Sequence, residues 1–253
     1  MIRIYKHVGE TPLEALQRFR TKNPGYNDKR LSYAGRLDPM AEGELLVLEG
    51  EENDRRGEFL GLDKTYEFQI LFGYATDSFD LLGLPQTDTD STFKDKYNRK
   101  DKLKRRLTVI CEDFKGSWSM RYPPYSSKTV GREGKQTPLW QLARFSDLPD
   151  NLPEKSVEIY DLELLEITGI TAENLLAYIK TQVGKVNGDF RQEPILRAWD
   201  QALQKDERNF PLITFSAFVS AGTYIRRLAH EMGKSVGIPA CAFKIKRTKI
   251  GQK

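Results

Sequence analysis

Residues 31–48, LSYAGRLDPMAEGELLVL, place one carboxylate, Asp38, on a loop of small residues and follow it with an apolar run. Pro39 disfavours the helical region for the residue before it, so Asp38 is expected in extended backbone. Gly35 and Gly43 permit sharp turns on either side. Leu45, Leu46, Val47 and Leu48 are apolar enough to form a buried segment that anchors the loop. A carboxylate held on a stiff loop beside a buried segment suits a nucleophile or a base. It equally suits a turn aspartate that bonds its own backbone. The chemistry of the stretch leaves both readings open.

Working outward, several runs alternate with period two. Ile2, Ile4 and Tyr5 suggest a first strand, and Tyr66, Phe68, Ile70 and Phe72 form one buried face of another. A strand is expected over roughly Val157 to Ile167, and a further one carries Ile213, Phe215, Ala217 and Val219. Cys241, Phe243 and Ile245 alternate with lysines near the end. Helical spacing appears elsewhere. Thr11 reads as an N-cap with Pro12 at the first helical position, followed by Leu13, Leu16 and Phe19. Leu103, Leu107, Ile110 and Phe114 mark an amphipathic helix that includes much of a basic block from Lys94 to Arg106. Thr137 and Pro138 open a helix with Leu139, Leu142 and Phe145 on its core side. Residues 168–209 predict two helices, one carrying Leu175, Leu176, Ile179, Val183 and Val186, the other Ile195, Trp199 and Leu203. Ile225, Leu228 and Met232 form the stripe of a last helix after a turn at Gly222.

Composition narrows the class. The 253 residues give ample length for a core, and 40 basic against 36 acidic residues leave a net charge of only +4. Cys111 and Cys241 are far apart and, with only His7 and His230 beside them, make a zinc site or a disulfide framework improbable. Free thiols, no apolar run of membrane-spanning length and no leader-like start lead us to expect a soluble cytoplasmic protein. Between Lys115 and Arg144 the basic residues Lys115, Arg121, Lys128, Arg132, Lys135 and Arg144 are interleaved with Trp118, Tyr122, Tyr125 and Trp140, with Glu133 as the one acid. That mixture is the better candidate for RNA contact. Lys6 is read as a solvated lysine, and Asp77 and Asp80 as acidic caps of a turn. The basic residues of the tail, Lys244, Lys246, Arg247, Lys249 and Lys253, would be useful near phosphates.

GRLDP followed by MAEGELLVL resembles the catalytic motif of pseudouridine synthases, most closely the TruB-type tRNA synthases. Other segments resemble that family in its order along the chain: YKHVGET near the start, with His7 where proline is usual; KTYEF and TDSFDLLG at 64–83; RYPPYSSKTVGREGKQTPLWQLAR at 121–144; SAGTYIRRL at 220–228; and the closing CAFKIKRTKIG. The resemblance covers about residues 1–167 and 210–251. It implies that Asp38 is the catalytic residue, that Tyr66 stacks on the target uracil, that Tyr224 and Ile245 line the pocket, and that Arg226 pairs with Asp38. A fork-shaped guanidinium fits a carboxylate screened from water best; Arg36 is the next candidate for that pairing. Tyr33 stands where a histidine thought to displace the uridine is usual. The region holding Lys128, Arg132 and Lys135 corresponds to a mobile loop that pins the RNA stem-loop.

The resemblance further implies a single α+β catalytic domain over residues 1–253, a mixed, largely antiparallel sheet flanked by helices, with the helices at 168–209 as an insertion. The small RNA-binding PUA domain that usually follows is expected to be absent. The implied activity is a tRNA pseudouridine synthase acting as a monomer, without cofactor or metal, on uridine 55 in the T arm. Two alternatives stand beside it: a pseudouridine synthase with another RNA target, and a tRNA-binding chaperone without turnover.

Overall fold

The period-two runs become neighbouring strands. The computed structural model describes residues 1–86, 100–132 and 135–251. At its centre lies β4 (Lys64–Phe72), antiparallel to β11 (Asn209–Val219) on one side and to β12 (Ala240–Ile250) on the other. Beyond β11 the sheet continues through β10 (Glu154–Thr171) to β7 (Gly116–Arg121), both antiparallel to their neighbours. Beyond β12 comes β3 (Ala41–Glu49), which runs parallel to it over Ala41–Gly43. β1 (Ile2–Lys6) and β2 (Leu31–Ala34) pair antiparallel with β3, the short helix α2 (Arg56–Leu60) precedes β4, and β5 (Ala75–Thr76) pairs with β6 (Pro85–Gln86) in a separate two-stranded ladder. One parallel pairing in an otherwise antiparallel sheet gives the mixed, largely antiparallel α+β architecture expected.

Alternation decides what covers each face. Tyr66, Phe68, Ile70 and Phe72 join Ile213, Phe215, Ala217 and Val219 in one core, closed by α3 (Lys100–Asp113) and α7 (Ile225–Val236). Leu71, Phe210, Leu212, Cys241 and Phe243 point the other way and are covered by α5 (Ala172–Val183) and α6 (Gln192–Leu203). Both helices expected within 168–209 are therefore present. Trp199 of α6 is fully buried, its ring 5.2 Å from that of Tyr74. At α1 (Pro12–Lys22) the Thr11 cap is reciprocal. Glu14 N–H donates to Thr11 Oγ1 at 3.2 Å and Thr11 N–H to Glu14 Oε2 at 2.6 Å, a device worth about 1 kcal/mol. Among the described residues no helix is long and apolar enough to cross a membrane.

Three local expectations need correction. β10 is longer than Val157 to Ile167, and register shifts at Ile159/Asp161 and Leu164/Glu166 break the alternation by which such a strand is read. Thr137 and Pro138 belong to β9 (Lys135–Pro138), which pairs with β8 (Thr129–Arg132). The helix that follows, α4 (Leu139–Arg144), ends before Phe145. That side chain is consequently off the apolar stripe and 75% exposed, while Leu139 and Leu142 are buried. Finally, Lys6 and Arg247, read as solvated or phosphate-facing, are 0% and 1% exposed. Residues 94–99 of the basic block lie outside the described residues; from Lys102 to Arg106 its basic side chains are exposed around the buried Leu103.

Candidate active site

The chain between β2 and β3 is held from several directions, and Asp38 sits in the middle of it. Arg247 on β12 donates from Nε to the Glu44 carbonyl at 2.7 Å, from Nη2 to Gly35 at 3.3 Å and from Nη1 to Arg36 at 3.4 Å. Lys6 Nζ donates to the carbonyls of Ala41 at 2.6 Å and His7 at 3.0 Å. Gly9 N–H donates to Pro39 at 2.8 Å, and Ala41 N–H to Asp38 at 3.0 Å. A buried cation is tolerated because carbonyl oxygens replace its water. Burial still lowers the Lys6 pKa to about 8, with the charge of Asp38 acting the other way. Gly43 takes φ +116° where its backbone crosses that of Arg247, and a side chain there would collide with the Arg247 carbonyl.

Arg226 lies in the first turn of α7 and is 2% exposed. All three of its guanidinium nitrogens donate: Nε to Asp38 Oδ2 at 2.7 Å, Nη1 to the Ser78 carbonyl at 2.7 Å, and Nη2 to the Tyr125 carbonyl at 3.2 Å. A second carboxylate, Asp80, places Oδ2 3.5 Å from the same Nε. Its Oδ1 accepts from Ser78 Oγ at 2.7 Å and from Leu82 N–H at 3.0 Å. Burial raises the Asp80 pKa, opposed by the guanidinium. Burial also disfavours the Arg226 cation, but the Asp38 and Asp80 charges outweigh it and the arginine stays charged. The two carboxylates differ in access: the Asp38 side chain is 35% exposed and that of Asp80 6%. Asp38 is thus the more accessible of the two.

Two cavities, each of about 390 Å³, share Asp38 in their walls. One is lined by Tyr66, Tyr224, Ile245 and Lys64. The other opens past Tyr33 toward Trp140, Arg144, Phe190 and Arg191. Each falls in the size range of small-molecule sites and is ample for one nucleotide. Burial, then the nearby Asp38 charge, pushes the Tyr224 hydroxyl up to about 12, so it remains a donor at neutral pH. The Tyr224 ring meets Tyr122 edge-on at 5.6 Å, and Lys128 Nζ lies 5.4 Å from the Tyr122 centroid. Among the described residues no three His, Cys, Asp or Glu side chains converge as a metal site requires.

The sequence profile of the TruB family pseudouridylate synthase N-terminal domain matches residues 23–190. This chain belongs to that family. It is 30% identical over 248 residues to tRNA pseudouridine synthase B of Bordetella avium, across 97% of this chain and 78% of that protein. It is 26% identical over 249 residues to the Aquifex aeolicus protein of the same name, across 98% of this chain and 67% of that one. A solved Cbf5–Nop10–Gar1 complex contains a chain that superposes with a TM-score of 0.54 at 18% identity, over 99% of this chain and 48% of that one. At that identity the likeness is one of fold, and this chain spans about half the length of the solved one. As a TruB-family pseudouridine synthase the chain is an isomerase.

Within this family member, the residues singled out from sequence fall as follows. Asp38 and Arg226 are in direct contact, and Tyr66, Tyr224 and Ile245 line one cavity with Asp38. Tyr33 lines the other, with the Arg56 guanidinium 5.9 Å from its ring centroid, and Arg36 borders both. Lys128 is exposed, and Arg132 and Lys135 face each other in register at the end of the β8–β9 hairpin, their side chains lying outside the described ones. Missed were Asp80, which does cap its turn but also reaches Arg226, and the loop-holding pair Lys6 and Arg247. For the last two a signal existed. Lys6 extends the alternation Ile2, Ile4, and Arg247 lies two residues past the buried Ile245, with the exposed Lys246 between them, so period two assigns both to inward positions.

Proposed function

We propose that this chain converts uridine 55 in the T loop of tRNA to pseudouridine, with Asp38 as the reacting carboxylate and no cofactor. The observation that carries the reading is the Asp38–Arg226 pair at the meeting point of two nucleotide-sized cavities. The tRNA substrate is suggested by the names of the relatives. The reaction breaks the bond from N1 of uracil to C1′ of ribose and joins C5 to C1′. The proton on C5 is lost and N1 gains one, so no atom is added. What the protein must supply is a reactive group and a confined space in which the ring turns.

Each has a counterpart. The guanidinium fixes Asp38 by a charge-assisted bond while leaving its carboxylate in the cavity wall. Tyr66, 6% exposed, gives the flipped base an aromatic neighbour, and Tyr224 adds a protonated hydroxyl. The target base must leave its stack to arrive here, and Tyr33, which lines the adjoining cavity, fills its position. Lys128, Arg132 and Lys135 hold the T-arm backbone. The test is position-resolved mapping of pseudouridine in an unmodified tRNA and in the isolated T-arm stem-loop after incubation with the protein. Product at the T-loop uridine in both is expected. Product only at another tRNA site or in ribosomal RNA would reassign the target, and binding without product would make the protein a chaperone.

A further inference from the structure

The loop between α5 and α6, residues 184–191, is part of the cavity wall that ends at Asp38, through Asp189, Phe190 and Arg191. It is tied down along its length. Lys185 packs so closely on Gly9 that a Cβ there would lie 2.5 Å from the Lys185 carbonyl oxygen. Asn187 Nδ2 donates to Glu14 Oε1 at 3.2 Å, and Asp189 pairs with Arg144. Arg191 reaches farthest inward. Its Nη1 donates to Asp77 Oδ2 at 2.7 Å and its Nη2 to Asp77 Oδ1 at 3.3 Å, and its guanidinium carbon lies 4.0 Å from the centre of the Tyr125 ring.

Arg191 holds a left-handed backbone, φ 63°, which is uncommon for a residue with a side chain. It occupies the N-cap of α6 without capping it, and the side chain goes to Asp77 instead. In the turn that Asp77 begins, Phe79 is also left-handed, at φ 66°. Such conformations persist where surrounding contacts fix them, and here those contacts meet at one place. Arg226 donates its two Nη groups to the carbonyls of Ser78 and Tyr125. Ser78 follows Asp77 in the chain, and Tyr125 is the ring under Arg191. The two segments that receive Arg226 are therefore the two that Arg191 joins.

We infer that Arg191 is a positioning residue, which fixes the Ser78 and Tyr125 carbonyls and thereby aims Arg226 at Asp38. The helical hairpin at 172–203 is then a working part of the catalytic apparatus. The inference rests on the reading of Asp38 as the reacting group. A two-pronged ion pair stacked on an aromatic ring constrains direction as well as distance, which lysine does only in part. Misplacement of a reacting group by about 1 Å costs on the order of 100-fold in rate.

The test uses the full chain with Arg191→Met, Arg191→Lys and Asp77→Asn, which retains an oxygen for the Leu84 N–H that Asp77 Oδ1 accepts at 2.9 Å. In free, ¹⁵N-arginine-labelled protein the Arg226 Nε–H signal is identified by its loss in Arg226→Met, and its hydrogen exchange is followed by NMR. Exchange at least ~10-fold faster in Arg191→Met and in Asp77→Asn is expected, with Arg191→Lys between these and the wild type. In single turnover at saturating tRNA, Arg191→Met should be slowed roughly 30- to 100-fold with RNA affinity within about two-fold of wild type. The Asp77→Asn, Arg191→Met double variant should be no slower than the slower single one. Unchanged exchange overturns the bracing role. So does a saturated rate that is unchanged while affinity falls, which would make Arg191 a phosphate contact, or a rate loss that follows only the unfolded fraction. If the wild type forms no pseudouridine in tRNA, the functional reading fails, and the exchange measurement still decides the bracing role.

Discussion

Arg226 answers to two carboxylates at once, and the two demands are separable. Asp80 is buried against it, whereas Asp38 faces the cavity in which the proposed chemistry takes place, so the proposal assigns folding to the first contact and reaction to the second. Replacing Arg226 with Met leaves a buried Asp80 without its cation, a loss of about 3–5 kcal/mol, and also releases Asp38. Adding Asp80→Asn should restore part of that stability, read by urea unfolding, yet none of the activity, which should stay down by on the order of 1000-fold. Arg226→Lys should recover only part of the rate, because a point charge cannot serve Asp38, Ser78 and Tyr125 together. Recovery of activity in the double variant would show that Arg226 acts through folding alone. This pair spans 188 residues of sequence, and nothing local to either residue announces the other. It was legible only through the resemblance of two motifs. Lys6 and Arg247 were legible by alternation but were read by charge. Asp80 gave no signal beyond its turn, because a buried second carboxylate is defined by what packs over it.

At the scale of elements, α7 does more than carry Arg226. His230, further along the helix, stacks on Phe79 of the Asp80 turn with ring centroids 4.1 Å apart. Burial, together with the Lys234 and Arg227 charges and against that of Glu231, lowers its pKa to about 4 from 6.5. Between those values the unfolded chain binds the proton and the folded chain does not, so stability is lost as pH falls from 6.5 toward 4. His230→Phe keeps a ring against Phe79 and cannot titrate. Its unfolding free energy should fall less than that of the wild type over this interval, by ~1–2 kcal/mol, with the carboxylates common to both cancelling. Parallel pH profiles would show that His230 titrates alike in both states. The elements themselves were largely readable, since β4 and β11 keep their alternation and α5, α6 and α7 keep one apolar stripe each. What escaped were breaks in period: the register shifts of β10 and of β12, the latter putting Ile245 on the opposite face from Cys241 and Phe243, and the end of α4 that turns Phe145 outward. Such breaks are set by neighbouring strands and by caps.

For the molecule as a whole, a net charge of +4 is too small to draw in RNA by itself, so the arrangement of the cations must do so. Replacing Lys128, Arg132 and Lys135 together with alanine should weaken tRNA binding and lower the slope of log affinity against log salt by about 2–3, at roughly 0.7–0.9 for each phosphate no longer neutralised. The rate at saturating tRNA should be unchanged. An unaltered slope would place the RNA elsewhere, for instance on the exposed lysines of α3 and β12. On this proposal the face that binds and the pair that reacts are distinct, and the central claim concerns the pair. It is tested most directly by single-turnover pseudouridine formation in unmodified tRNA by Asp38→Asn, measured beside its tRNA affinity. The prediction is affinity within about two-fold of wild type and a rate at least ~1000-fold lower, since Asn keeps the shape and an acceptor oxygen but not the reacting carboxylate. A rate within about ten-fold of wild type would contradict the account, because Asp38 would not be the residue that reacts.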